Sequence, residues 1–255
     1  MAVVTVEGLM AETRELAEAA GALTLSWFRR PDLRVDTKTD GSEVTAADRA
    51  AERHIREYLA KNHPDDAILG EEEGEQGGST GRRWIIDPID GTRGFVRGVP
   101  LYATLIAVVE DSGPVVGVIH LPALDITVTA GVGRGCWLGD QRCSVSDADR
   151  LDAALLNTSD FETFTPAQFS AVRDAGLMLR TWGDAYGYYL VATGQAEVMV
   201  DPICSTWDLA PMPVILSEAG GRFSSTSGES DYRLGSGVAT NGQLHRPVLD
   251  LLAAT

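Results

Sequence analysis

The chain has 255 residues, of which 44% are hydrophobic and 23% are charged. That composition is typical of a folded globular protein and excludes wholesale disorder. With 21 lysines and arginines against 37 aspartates and glutamates, the formal net charge is −16. This balance argues against non-specific binding to nucleic acid or to anionic membranes, because both need basic patches. The same charge would repel an anionic substrate unless a local source of positive charge offsets it.

The cysteines and the start of the chain bear on the compartment. Cys136, Cys143 and Cys204 form no CxxC pair, and so sparse and odd a count fits a reducing environment. The start of the chain lacks the basic and apolar regions of a secretory signal. No apolar run approaches the ~18 residues that a membrane span needs. We therefore expect a soluble cytoplasmic protein.

Two amphipathic helices are predicted near the start of the chain. Apolar residues at helical spacing indicate the first helix over residues 6–28, and Pro31 ends it because proline cannot continue a helix. A polar turn over residues 37–43 follows. The second helix is predicted from Thr45, acting as its N-cap, to about Asn62.

A β-rich region is predicted next. Short apolar strands at residues 67–70 and 84–86 lie on either side of a Gly-rich polar stretch that we expect to be a mobile loop. Further strands rich in β-branched residues are predicted over 101–109, 115–121 and 126–130, with another hairpin from residue 131.

After about residue 150 the pattern changes to alternating strands and helices. Strands are predicted over 153–157, 178–180, 196–200 and 238–240. Helices are predicted over 166–175, 185–193, 208–219 and from about 244 onwards. Together these elements predict a layered α/β or α+β protein. We place a soft domain boundary near residue 150, which divides the chain into halves 1–150 and 151–255.

The clearest chemical signal lies in the segment from Trp84 to Thr92. An apolar strand is predicted to end here, and Asp87 and Asp90 lie where it ends. Two carboxylates held so close repel each other unless a cation lies between them. Oxygen ligands without histidine or cysteine favour Mg²⁺ or Mn²⁺ over Zn²⁺. The alternative is a strand-end turn in which the two aspartates only cap the following segment.

Two further acidic segments are weak signals on their own. Three glutamates, Glu71 to Glu73, follow the predicted strand at 67–70, and a run of charges is usually a solvated surface. Asp208 opens a predicted helix, where an acidic residue is also favoured as an N-cap or by the helix dipole.

Taken together, these segments carry a family resemblance. GEEEG at 70–74, WIIDPIDGTRGFVRG at 84–98 and WDLAPMPVILSEAGG at 207–221 occur in this order, and VTAAD at 44–48 precedes them. Through these blocks, the second of which is highly specific, the chain resembles the Mg²⁺-dependent inositol monophosphatase family over essentially its whole length. The resemblance implies a phosphomonoesterase with an αβαβα sandwich fold, a site where the two halves meet, and a homodimer.

The resemblance also implies roles for individual residues. The expected ligands of two or three Mg²⁺ ions, for which Mn²⁺ could substitute, are Glu71, Asp87, the carbonyl of Ile89, Asp90 and Asp208. Two such cations can lower the pKa of a bound water and stabilise a leaving oxygen. The expected catalytic residues are Asp48, Glu71, Asp90 and Thr92. Glu72 and Lys38 would support the site, and the amides of Gly91 and Thr92 would hold phosphate oxygens.

Residues 180–188 and 198–202 resemble the histidinol-phosphate phosphatase branch of the same family. L-Histidinol phosphate carries an ammonium group and an imidazole, which carboxylates at Asp184 and Asp201 could bind. Trp182 could pack on the imidazole. With Arg180, Gly91 and Thr92, these residues complete the expected substrate contacts. The alternative is that Trp182 belongs to the core and that Asp184 caps a helix.

Other interpretations stay open at this point. The substrate could be inositol 1-phosphate, a range of sugar phosphates or fructose 1,6-bisphosphate. A non-catalytic metal-binding scaffold is a further alternative, which the complete set of expected ligands argues against. Arg93 and Arg97 either face the phosphate or a neighbouring subunit, or are exposed helix charges. Asn241, after the last predicted strand, is a further candidate for substrate contact.

Overall fold

Two large β-sheets alternate with three layers of helices in the described part of this protein. The structure is a computed structural model that describes residues 5–39 and 41–253. The α-helices are α1 (Val6–Leu25), α2 (Ala46–Asn62), α3 (Thr92–Val96), α4 (Pro166–Asp174), α5 (Asp184–Ala192), α6 (Thr206–Leu209), α7 (Met212–Glu218) and α8 (His245–Leu252). The αβαβα architecture expected from the sequence is confirmed.

The strands of the first half are β1 (Val35–Thr37), β2 (Glu43–Thr45), β3 (Ala67–Gly70), β4 (Gly74–Gln76), β5 (Arg83–Asp90), β6 (Ala103–Glu110), β7 (Gly113–Leu121), β8 (Ile126–Gly131), β9 (Gly135–Leu138) and β10 (Gln141–Arg142). Strands β1 and β2 form a separate hairpin. The others form an eight-stranded sheet in the order β10-β9-β8-β7-β6-β5-β3-β4. Helices α1 and α2 pack on one face of this sheet around the buried Trp84 and Ile86.

The strands of the second half are β11 (Leu155–Asn157), β12 (Met178–Arg180), β13 (Val198–Asp201), β14 (Arg222–Ser224) and β15 (Gly237–Thr240). They form a sheet in the order β12-β11-β13-β15-β14, in which β11 is parallel to both of its neighbours. Helices α5 and α7 lie between the two sheets, and α4 and α8 cover the outer face of the second.

Helix α2 shows how closely local sequence determines an element. Thr45 is its N-cap, and its hydroxyl accepts a hydrogen bond from the backbone N–H of Ala47 at 3.1 Å. The carboxylate of Asp48 accepts in return from the backbone N–H of Thr45 at 2.8 Å. This reciprocal capping fixes the start of the helix. The predicted bounds of α2 are confirmed.

Several predicted bounds differ from the structure. The first helix ends at Leu25, where the chain enters a turn. The single helix predicted over 208–219 is two helices, α6 and α7, separated near Pro211, which has no N–H to continue the α6 hydrogen bonds. The stretch expected to be a loop includes β4, which pairs with β3. The hairpin of β1 and β2 and strand β14 were not predicted. The division near residue 150 stays a prediction, and Asp40, within the predicted polar turn, lies outside the described residues.

The strand predicted to stop at Asp87 instead continues through a β-bulge to Asp90. Asp87 pairs with Leu105 and Asp90 pairs with Ala103. An advance of three residues along β5 therefore lies opposite an advance of two residues along β6. Pro88 lies within the bulge, where its missing N–H costs no ladder hydrogen bond. A bulge re-aims the side chains beside it. Both aspartates therefore lie at one end of a strand that is buried over most of its length.

No helix in the described part of the chain is both long and apolar enough to cross a membrane.

His245 gives a stability prediction. It is buried, and its ring nitrogens lie 2.9 Å from the Ser224 hydroxyl and 3.0 Å from the Thr240 hydroxyl. Burial, with a smaller effect of Arg222, lowers the pKa of His245 from 6.5 to about 4. Below pH 6.5 the unfolded chain therefore binds a proton that the folded chain does not. The free energy of unfolding decreases as the pH is lowered through this range.

We expect His245→Gln to reduce the loss of unfolding free energy between pH 7 and pH 5, as measured by urea unfolding. The carboxylates titrate alike in both proteins, so the comparison isolates the histidine. Parallel pH profiles for the two proteins would contradict this assignment.

Candidate active site

Three carboxylates from two distant parts of the chain converge at one point. Asp87 and Asp90 come from the bulge of β5, and Asp208 comes from the first turn of α6. One carboxylate oxygen of each lies within 4.8 Å of one from each of the others. Asp208 is held there because its Oδ2 accepts a hydrogen bond from the backbone N–H of Ser205 at 2.8 Å. The structure thus brings together three of the expected metal ligands.

The electrostatics of this cluster favour a bound cation. Burial, followed by the charges of Glu71, Asp90 and Asp208, raises the pKa of Asp87 well above its usual range. Burial together with Asp184 and Asp208 does the same to the pKa of Asp90. Burial raises the pKa of Asp208 to about 7. Carboxylates buried this close are stable as anions only beside a positive charge. Their oxygen-only donor set fits Mg²⁺ or Mn²⁺.

Glu71 and Glu72 lie beside the cluster with Lys38 between them. The Lys38 Nζ donates to Glu71 Oε1 at 2.7 Å and to Glu72 Oε1 at 2.6 Å. Burial alone would lower the pKa of Lys38, but these two glutamates raise it. Burial, opposed by Lys38, raises the pKa of Glu72 to about 7. The structure therefore places Lys38 against Glu71 and Glu72, near the site, as the family resemblance implied.

Thr92, Asp48 and the Ile89 carbonyl form a second connected group. The Thr92 hydroxyl lies 2.9 Å from the Ile89 carbonyl and 3.2 Å from Asp48 Oδ1. Asp48 is buried, and its other oxygen accepts from the backbone N–H and the hydroxyl of Thr45 at 2.8 and 2.6 Å. The side chain of Asp48 is thus fixed by its own helix start, with one oxygen left to face Thr92.

Gly91 makes the close approach of the two halves possible. Its φ of 84° lies in the left-handed region, and a Cβ there would come 2.9 Å from Asp184 Oδ2. Only glycine fits this position without strain. Gly91 and Thr92 both line the cleft described below. Their predicted contact with phosphate through backbone amides stays a prediction.

The C-terminal half adds a connected set of polar groups. The Ser159 hydroxyl accepts from the backbone N–H of Asp184 at 2.8 Å, and the Ser159 N–H donates to Asp201 Oδ1 at 2.9 Å. The backbone N–H of Ala185 donates to Asp90 Oδ2 at 2.5 Å, which joins this set to the carboxylate cluster. Asp184 has a φ of 53°. Such a left-handed conformation is uncommon outside glycine, and aspartate adopts it more readily than most residues.

A small recess lies beneath this set. It has a volume of about 100 Å³ and is lined by Tyr188, Asp201 and Cys204, among other residues. The buried Tyr188 hydroxyl and the buried Asp201 Oδ2 have no hydrogen-bond partner among the described residues. Burial raises the pKa of Asp201 to about 6. The two groups interact with each other, since the Tyr188 hydroxyl acts to lower the pKa of Asp201 against the larger effect of burial. A ligand or a water in the recess would add the hydrogen bonds of ordinary geometry that both atoms lack.

The recess opens beside a larger cleft of about 480 Å³ that contains the carboxylate cluster. The cleft is lined by residues from both halves, which agrees with the expected position of the site. Arg93 is the one basic side chain among the described residues that line it. Arg97, one turn further along, instead pairs with Glu43 at 3.0 Å.

Three residues considered for substrate contact lie apart from these cavities. The guanidinium of Arg180 lies 5.7 Å from the ring centre of Trp182, and Trp182 is 43% exposed rather than part of the core. Neither lines the cleft or the recess, and their substrate contacts stay predictions. Asn241 is a structural residue, because its amide donates to the Ala148 carbonyl and its Oδ1 accepts from the N–H of Leu244.

Sequence reasoning missed two residues that support the site. Ser159 links Asp184 to Asp201, and Glu52 binds backbone amides of the loop that carries Glu71. The signal for Ser159 was its position in a polar segment directly after the predicted strand at 153–157. Ligands bind beyond the carboxyl ends of strands in parallel sheets. Glu52 follows Asp48 at helical spacing, a relation that the sequence contains but does not single out.

Known proteins are similar to this chain over nearly its whole length. The profile of the inositol monophosphatase family matches residues 6–254. A histidinol-phosphatase of Mycobacterium tuberculosis is 43% identical over 248 residues, covering 94% of this chain and 95% of that protein. A histidinol-phosphatase of Chlorobaculum parvum is 42% identical over 241 residues, covering 92% and 93%. The solved structure of the extragenic suppressor protein suhB from Bartonella henselae has a TM-score of 0.89 at 29% identity, covering 96% of this chain and 98% of that one.

Repulsion within the carboxylate cluster gives a stability prediction. Asp90→Asn removes one of the repelling charges and keeps an oxygen to accept from Ala185. We expect the metal-free variant to unfold at the same temperature as the unaltered chain or above it. The unaltered chain should gain about 2 to 3 kcal/mol at a Mg²⁺ concentration a hundredfold above its Kd, and the variant should gain much less.

Thermal unfolding with and without Mg²⁺ measures both effects, and Asp111→Asn, on an exposed turn, is the control that keeps the full response. An equal gain for Asp90→Asn would show that the cation does not bind at this cluster.

Proposed function

The chain belongs to the inositol monophosphatase family, and we propose that it is a Mg²⁺-dependent phosphomonoesterase that hydrolyses L-histidinol phosphate to L-histidinol and inorganic phosphate. The observation that carries the proposal is the two-ended character of the site. One end is a carboxylate cluster suited to metal ions, and the other is a recess lined by the buried Asp201, whose Oδ2 accepts no hydrogen bond of ordinary geometry from the described residues. The substrate has a matching pair of ends, a phosphate and an ammonium.

The residues that would hold the metal are Glu71, Asp87, Asp90, Asp208 and the carbonyl of Ile89. Their oxygens fit two or three Mg²⁺ ions, with Mn²⁺ as a substitute. When bound, Mg²⁺ supplies positive charge that lowers the pKa of water and stabilises a developing negative charge on oxygen. This local positive charge would offset the repulsion of a phosphate by the net charge of −16, since the electric field at a metal site is set by its ions.

Thr92 and Asp48 are the proposed positioning pair for the attacking water. A threonine hydroxyl has one proton to donate and two lone pairs. When the Thr92 hydroxyl donates to Asp48 or to Ile89, its oxygen remains free to accept from a water in the cleft. Glu71, which also lines the cleft, is the proposed acceptor of the second proton of that water. The buried capping network of Asp48 keeps this geometry fixed before substrate binds.

The phosphate end of the substrate is proposed to lie against the start of α3. The backbone N–H groups of Gly91 and Thr92 would donate to the phosphate oxygens. Arg93 lines the same cleft, and its guanidinium adds positive charge in a predominantly acidic surrounding. These contacts would place the phosphorus between the carboxylate cluster and the Thr92 hydroxyl.

The ammonium end is proposed to bind at Asp184 and Asp201, with the Tyr188 hydroxyl as a further acceptor. Charge-assisted hydrogen bonds are roughly twice as strong as neutral ones. Inositol 1-phosphate offers only hydroxyl groups to these carboxylates, so the recess favours the amine. The relatives that carry the name histidinol-phosphatase support this choice.

We also propose that the protein is a homodimer, that it acts in the cytoplasm and that it serves histidine biosynthesis. These assignments follow from the family resemblance and from the identity of the substrate.

The substrate assignment predicts a clear order of rates. With Mg²⁺ present, we expect kcat/KM for L-histidinol phosphate to exceed that for inositol 1-phosphate or fructose 1,6-bisphosphate by about tenfold or more, the value of one charge-assisted hydrogen bond. EDTA should abolish phosphate release from all three, whereas a metal-binding scaffold would release none under either condition. A preference for either sugar phosphate would contradict the assignment.

Asp201 tests the ammonium contact separately. Asp201→Asn keeps an acceptor for the Ser159 N–H but loses the charge, so we expect kcat/KM for L-histidinol phosphate to fall about ten- to a hundredfold. para-Nitrophenyl phosphate, which has no amine, is the internal control and should change little. Equal losses on both substrates would show that Asp201 supports the site without contacting the amine.

A further inference from the structure

The loop that carries Glu71 and Glu72 is held from behind by a buried carboxylate. Glu52, on α2, is fully buried. Its Oε2 accepts a hydrogen bond from the backbone N–H of Glu72 at 2.8 Å, and its Oε1 accepts from the backbone N–H of Glu73 at 2.9 Å. Backbone N–H groups of a turn need partners when water is excluded. Glu52 supplies both partners with one side chain.

The approach of Glu52 to this loop depends on Gly70. A Cβ at Gly70 would overlap the carboxylate of Glu52, at 2.2 Å from its Oε1. Gly70 is the last residue of β3 and pairs with Gly74 across the turn. The carboxylate therefore sits directly under the tip of the β3–β4 hairpin, at the point from which Glu71 and Glu72 project.

Arg56 closes the same arrangement. Its Nε donates to Glu52 Oε1 at 2.8 Å, and its Nη2 donates to the carbonyl of Gly74. The guanidinium thus neutralises Glu52 and ties down the far end of the hairpin tip. Without it, Glu52 would add a further buried negative charge beside an already acidic site.

Glu52 and Arg56 also continue the face of α2 that bears Asp48. The three residues are spaced at i, i+4 and i+8, so their side chains lie on one side of the helix. Asp48 accepts a hydrogen bond from the Thr92 hydroxyl. Glu52 accepts from backbone N–H groups of the hairpin tip, and Arg56 donates to the Gly74 carbonyl at the end of that tip. Helix α2 therefore fixes the position of Asp48 relative to the hairpin tip that carries Glu71 and Glu72.

We infer that Glu52 is a positioning residue for the metal site, held in place by Arg56, and that it sets the affinity for Mg²⁺ by fixing the loop from which Glu71 and Glu72 project. It touches neither metal nor substrate and acts through the backbone of the hairpin tip. The inference rests on the metal site proposed above.

The test is Mg²⁺ binding to the purified full chain by isothermal titration calorimetry. In Glu52→Gln the side-chain amide turns a donor towards one of the two backbone N–H groups, so one hydrogen bond is lost in a nearly isosteric variant. Loss of such an outer contact typically costs 10–100-fold in metal affinity or activity. We expect the Kd for Mg²⁺ to rise by roughly that factor, with kcat for para-nitrophenyl phosphate recovering at high Mg²⁺.

Glu57→Gln is the matched control, because Glu57 is exposed on the same helix and takes part in none of the ion pairs between described residues. Its Kd should equal that of the unaltered chain. Arg56→Met provides a second route if Glu52→Gln does not fold, and it should raise the Kd in the same direction. An unchanged Kd in a folded variant of either residue overturns the inference. Failure of the unaltered chain to bind Mg²⁺ would instead overturn the metal site itself.

Discussion

Mutual repulsion between buried carboxylates is the constraint on which the rest of this structure depends. Asp87, Asp90 and Asp208 meet at one point, and burial in each case raises the pKa of the carboxyl group. A protein gains nothing in stability from such a cluster by itself. The surrounding elements are arranged to hold the carboxylates together, and the cluster is favourable only when a cation joins it.

The fold meets this constraint with short local devices on rigid elements. A bulge in β5 turns two aspartates to the same end of the strand, and a capping box at the start of α6 orients the third. Helix α2 holds the glutamate loop and Asp48 from one face. The second sheet contributes Asp201 and, through Ser159, fixes Asp184. The result is one cleft with a metal end and an acidic recess, built from both halves of the chain.

Sequence reasoning recovered the parts that depend on local chemistry. The bounds of α2 follow from the capping pair Thr45 and Asp48, and the convergence of the three aspartates was implied by the family resemblance of the sequence blocks that carry them. The bulge at Pro88 was not foreseen, because proline usually ends a strand and register is set by the partner strand. Glu52 was missed because the backbone N–H of Glu72 that it binds lies 20 residues along the chain. Ser159 was missed because its partners Asp184 and Asp201 lie 25 and 42 residues away. Contacts of that kind depend on tertiary packing and leave no local pattern.

The proposed site is a single cleft that recognises a phosphate at its metal end and a cation at its recess. The most direct test is inhibition of para-nitrophenyl phosphate hydrolysis by the two candidate alcohol products, L-histidinol and myo-inositol, at a fixed Mg²⁺ concentration. This two-ended recognition predicts that L-histidinol inhibits at concentrations about tenfold or more below those needed for myo-inositol, since only L-histidinol carries an ammonium group. Equal inhibition by both, or stronger inhibition by myo-inositol, would contradict it.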